Sequence, residues 1–112
     1  MQTNSISISQ RTSLASEILA ILVAKGFAIQ EGSVWQFVCS RSGKRKGSKV
    51  VVYTAIDKFN GAVNPYEKIR ILRLTEVNGS MSFQRVARIN PQGSLKNISS
   101  VFSKAVEKAI SS

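Results

Sequence analysis

Asn78-Gly79 stands between two runs that mix apolar and basic residues, Glu67–Glu76 (EKIRILRLTE) and Met81–Ile89 (MSFQRVARI). Asn-Gly supplies two adjacent residues that accept positive φ, which a two-residue hairpin turn matching the twist of a sheet demands. This dipeptide commits the second half of the chain to an antiparallel pair. A two-residue turn sets Leu74 opposite Phe83 and Leu72 opposite Arg85. In that register the alternation of apolar and polar residues breaks near Ile71-Leu72 on one strand and near Arg85-Val86 on its partner. Breaks at matching heights predict a bulge or a sharp twist in both strands, without fixing its position.

Two further strands are expected upstream, Ser33–Cys39 (SVWQFVC) and Lys49–Ile56 (KVVVYTAI), both rich in β-branched and aromatic residues. Between the second and third strands, Asp57–Tyr66 carries turn chemistry at Asn60-Gly61 and Asn64-Pro65. A helix is predicted from about Ser13 to Lys25, with Thr12 or Ser13 as its cap, Glu17 in its first turn and Gly26 as its stop. Its apolar residues (Leu14, Ile18, Ile21 and Leu22, widened by Ala15, Leu19, Val23 and Ala24) cover most of the circumference, so burial on more than one side is expected. A second helix, Leu95 to about Ile110, places Ile98, Val101, Phe102, Ala105, Val106, Ala109 and Ile110 at helical spacing. Residues 1–11 read as a flexible arm or a short edge strand, with Ile6 and Ile8 alternating with serines. The expected fold is α+β: a four-stranded antiparallel sheet flanked by an N-terminal and a C-terminal helix, in the order α-β-β-β-β-α. At 112 residues, a single domain spanning 1–112 is expected.

Composition excludes several function classes. Hydrophobic residues make up 43%, which is the composition of a folded chain rather than a solvating tail. The chain has one cysteine and no histidine, so it can hold neither an internal disulfide nor a His-bearing zinc site, and it lacks His-dependent triads. Cys39 has no histidine to activate it, and its place at the end of an apolar strand predicts a packed thiol. The six acids are scattered, without the clustering that divalent metals need. Gly43–Gly47 lacks the spacing of a phosphate-binding loop and a helix to follow it. No enzymatic activity and no cofactor are therefore expected. Leu14–Ala24 is too short to span a bilayer, which takes roughly twenty residues, and Glu17 interrupts it. A cytoplasmic protein with no membrane partner is expected.

Charge is the sharpest functional signal. Sixteen Lys+Arg face six Asp+Glu, a formal charge of +10. Five of those cations (Arg41, Lys44, Arg45, Lys46 and Lys49) fall within nine residues, with no acid between Glu31 and Asp57. Such a cluster repels itself unless an anion lies against it, and its glycines and serines let it adapt to a row of phosphates. A solvated hairpin tip is the plainer account, but a tip needs only one or two charges to discourage aggregation. Lys68, Arg70, Arg73, Arg85 and Arg88 add basic character to the hairpin, either as a track for a nucleic-acid backbone or as ordinary solvent-facing arginines. Among the aromatics Trp35, Phe37, Tyr53, Phe59, Tyr66 and Phe83, most belong to the core of so small a chain, and Tyr53, Phe59 and Tyr66 are the candidate base platforms.

These features point to a nucleic-acid-binding module with weak sequence preference, gripping phosphates with Arg41–Lys49 and favouring single-stranded DNA or RNA over duplex. A homodimer or higher homo-oligomer is expected through the excess apolar surface of the first helix. The alternative is a structural or interaction subunit of a larger assembly, viral or from a mobile element, that self-associates or docks an acidic partner.

Overall fold

The computed structural model describes residues 7–33, 36–57 and 60–111, apart from the side chains of residues 31–33 and 36–37. The fold is α+β, with an antiparallel sheet and two helices. In chain order the elements are α1 (Ile8–Ala24), β1 (Ala28–Ser33), β2 (Gln36–Ser42), β3 (Ser48–Thr54), β4 (Ile69–Val77), β5 (Ser80–Ile89) and α2 (Leu95–Ser111). The strands form a meander in the order β1-β2-β3-β4-β5, every neighbouring pair antiparallel.

The sheet therefore has five strands, not four. The strand absent from the sequence reading is β1, whose residues AIQEGS carry little intrinsic strand preference. It is an edge strand held on one side only, by pairing Ala28 with Ser40 and Gln30 with Val38. The next strand accordingly lies later than expected, at Gln36–Ser42 rather than Ser33–Cys39.

The first helix also differs. It begins at Ile8, and its cap is Ser7, whose hydroxyl accepts from the amide of Gln10 at 3.1 Å. Thr12 does not cap; its hydroxyl donates to the carbonyl of Ile8 inside the first turns. Glu17 thus sits mid-helix rather than in the first turn. Residues 7–11 belong to the helix start and not to an edge strand, whereas residues 1–6 lie outside the described residues. Because Ser9, Gln10, Arg11 and Thr12 are polar, the added turns carry no apolar period from which a sequence reading could extend the helix. The chain leaves the helix through Gly26, as expected.

One face of the sheet carries the core. Leu14, Ala15, Ile18 and Leu22 of α1 and Ile98, Phe102, Val106 and Ala109 of α2 cluster with Cys39, Val50, Val52, Ile69, Ile71 and Ile89 of the strands. Ile56 and Val63, bridged to each other in the β3–β4 connection, close one end of that cluster. The connection uses the expected turn chemistry: Asn60 accepts from the amide of Ala62, and Asn64 from that of Tyr66. The buried stripe of α1 is narrower than its composition suggests. Leu19 and Ile21 only flank the core, and Ile8 and Val23 are about half exposed. A surface ion pair, Lys25 Nζ to Glu107 Oε1 at 2.8 Å, ties the helices together near the end of α1.

Candidate nucleic-acid interface

The Asn78-Gly79 turn takes positive φ at both residues, +53° and +80°, and pairs Leu74 with Phe83 and Leu72 with Arg85, as its chemistry predicts. The register then shifts: Ile71 faces Ala87, so Val86 is an extra residue in β5. Both Val86 and Ala87 pack against the core cluster. The bulge has a consequence for charge. Arg85 and Arg88 are three residues apart and would fall on opposite faces of a regular strand. The extra residue brings both, together with Phe83, to the face opposite the helices.

Register places the rest of that face. Side chains of paired residues share a face in an antiparallel sheet. One row runs Val38, Tyr53, Arg70, Arg88; the next runs Ser40, Val51, Leu72, Arg85; a third runs Ser42, Lys49, Leu74, Phe83. Lys49, Arg70, Arg85 and Arg88 are exposed. Val51, at 4% exposure, is buried on this face among its sheet neighbours. The guanidinium of Arg70 stands over the Tyr53 ring, 5.1 Å from its centroid, in cation–π geometry. The Tyr53 ring is thus already occupied, and the flat guanidinium above it is itself a surface on which a base can stack.

The basic connector is folded rather than slack. Gly43 donates to the carbonyl of Ser48, while Ser48 returns both its amide and its hydroxyl to the carbonyl of Arg45. A Cβ at Gly43 would press on the Ser48 hydroxyl, so any larger residue there would have to displace Ser48 from its bond to Arg45. Lys44, Arg45 and Lys46 stand exposed at the tip. The amide of Glu76 donates to the carbonyl of Gly47 at 3.3 Å, holding the tip against the far end of the β4–β5 hairpin. Between them lies an open hollow of about 600 Å³, lined by Lys44, Arg45, Lys46 and Lys49 on one side and Leu74, Glu76 and Met81 on the other.

Not all the sequence-predicted cations converge. Arg41 pairs with Val50 on the helix side, and its guanidinium donates to the carbonyl of Lys25 at 2.6 Å and to that of Ser42 at 2.9 Å. It thereby satisfies a carbonyl at the end of α1, where the helix dipole favours positive charge. Arg73 also pairs with Val50 on the helix side and donates to Gln84 Oε1 at 3.0 Å. Lys68 is exposed just ahead of β4. Tyr66 is 80% exposed but lies in the β3–β4 connection, beside a hollow lined by Arg11, Ile56 and Asp57 rather than on the sheet. Phe59 and Trp35 lie outside the described residues, and of Phe37 only the backbone pairing with Thr54 is described. Phe83, which residue type alone leaves with the core aromatics, is instead 71% exposed. Its register with Leu74 and Lys49 was the signal that could have found it.

Cys39 is buried on the helix side, and desolvation pushes its thiol up to about 11. Among the described residues, no three of His, Cys, Asp and Glu gather as metal ligands, and no helix is long and apolar enough to cross a membrane. No protein-family model matches the chain, and no curated protein or solved structure matches it either. Function has to be read from the residues themselves.

Proposed function

We propose that the protein binds single-stranded nucleic acid across the uncovered face of its sheet, with weak sequence preference. One observation carries this: the loop cations Lys44, Arg45 and Lys46 lie beside the same face as Lys49, Arg85, Arg70 and Arg88, with Glu76 as the acid lining the hollow between loop and hairpin. Charges of one sign gathered on one surface repel one another and favour an anion with repeated charges. A sheet face offers a path for a flexible strand, whereas the major groove of a duplex admits a helix or a narrow two-stranded ribbon. The loop grips phosphates, and the hairpin arginines extend the track.

The test is fluorescence anisotropy with a labelled single strand and its duplex, titrated near physiological ionic strength and then across a salt series. With five phosphates neutralised, log affinity for the single strand should fall against log salt with a slope near about −3.5. Replacing Lys44, Arg45 and Lys46 together by alanine should lower that slope by about 2, since each lost phosphate contact removes about 0.7. A flat salt response, or unchanged binding by the triple variant, would dismiss the proposal. A preference for duplex would reverse its choice of ligand.

A further inference from the structure

The sheet changes its apolar side partway along its length. Near the helices, Ile69, Ile71 and Ile89 are apolar on the helix side, and Arg70 and Arg88 are charged on the other. Past the bulge the pattern inverts. The helix side now carries Arg73, Thr75, Ser82 and Gln84, with Val77 exposed at the turn, none of them in the core cluster, while the opposite side carries Leu72, Leu74, Met81 and Phe83, with Arg85 and Glu76 among them. Met81 is 63% and Phe83 71% exposed. Apolar residues at this spacing, standing on the face away from both described helices, call for an occupant.

Two properties of the surroundings define that occupant. It must offer an apolar face to Phe83, and it must be anionic, because Lys49, Arg85 and the loop cations ring the strip. A second copy of this chain meets the first condition and fails the second, since it would bring like charges together on a +10 protein. A duplex meets the second and fails the first, because its base faces are stacked inside. An unpaired nucleotide meets both.

We infer that Phe83, with Leu74 and Met81 beside it, seats an unpaired nucleobase whose phosphates rest on Lys44, Arg45, Lys46 and Lys49; this rests on the nucleic-acid reading of the same face. Phe83 and Lys49 lie two strand spacings apart in one row, about 10 Å between backbones, which a lysine stem shortens. Glu76 lines the hairpin side of the hollow and repels phosphate there. Its carboxylate sets the polarity of the seat: anion towards the loop, base towards the hairpin.

The experiment uses the full chain and two labelled oligothymidylates of equal length and charge, one with intact bases and one abasic through its centre. Wild type should bind the intact strand at least fivefold more tightly, the worth of one stacked base. Phe83→Ala should bring the ratio of the two affinities towards one, and Phe83→Trp should restore or raise it. Circular dichroism would establish that both variants are folded. If wild type binds both strands equally with the expected salt slope, or if Phe83→Ala leaves the ratio intact, the seat is disproved while charge-driven binding stands. If neither strand binds near physiological salt, the nucleic-acid reading fails and the seat with it. Phe83-dependent capture by phosphatidylserine vesicles, with no dependence on bases, would hand the strip to a lipid surface and overturn the proposal.

Discussion

Phe102 and Phe83 are the same side chain on opposite sides of one sheet: the first is fully buried between α2 and the strands, the second 71% exposed on the uncovered face. Phe102 belongs to a mostly aliphatic cluster drawn from both helices and several strands. Around Phe83 the neighbours are Leu74 across the ladder and, further out, lysine and arginine. Burial of an aromatic ring is worth several kcal/mol to folding, and exposure of one is worth nothing. One face thus stabilises the fold. The other leaves apolar surface exposed, which on the proposed function is where the ligand lies.

The largest expected effect separates the two rings directly. Phe102→Ala should destabilise the fold by about 3–5 kcal/mol in urea denaturation, whereas Phe83→Ala should stay within about 0.5 kcal/mol of wild type. Equal losses would mean that both faces are structural. A smaller effect divides the basic loop from its own first cation. Arg41→Ala should cost about 1 kcal/mol in the same assay, because it removes the guanidinium from the end of α1. The triple alanine variant at Lys44, Arg45 and Lys46 should leave stability within about 0.5 kcal/mol and move only the salt slope. If Arg41→Ala instead matched the tip variants in both assays, its anchoring role would be refuted. The smallest effect concerns the helix side alone. With its pKa near 11, Cys39 is roughly 0.1% thiolate at pH 8, so a thiol-specific reagent should label it slowly until the chain unfolds or the pH approaches that value. Fast labelling of the native protein at pH 8 would show that the covered face is open.

Legibility followed the locality of the cause. The pairs next to the β4–β5 turn were readable, because Asn78-Gly79 dictates the turn and a two-residue turn dictates the first pairs; the bulge was not, because alternation broken on both strands does not say which strand holds the extra residue. The second helix was readable because its apolar period runs unbroken over several turns. β1 was not, since AIQEGS becomes a strand through its partner β2 and not through its own residues. The early start of α1 was hidden for a related reason: Ser7 caps residues too polar to show a period. At the candidate site, the loop cations were visible as a charge run, but the turning inward of Arg41 depends on the end of a helix sixteen residues away in sequence. The broken alternation at Ile71-Leu72 points to a bulge or twist but not to its consequence for the two faces. Only the register shows that it moves the apolar side of the sheet from one face to the other.

Val86 gives the ladder one residue of slack. Losing a residue from a half-buried strand ordinarily turns every following side chain to the wrong face, so such deletions are among the most damaging changes a sheet protein can suffer. At this position a lost codon would leave Arg85 opposite Leu72 and Phe83 opposite Leu74, straightening the ladder and removing only the Val86 contact with the core. β5 can therefore shorten by one residue at Val86 over evolutionary time and still present the same surface.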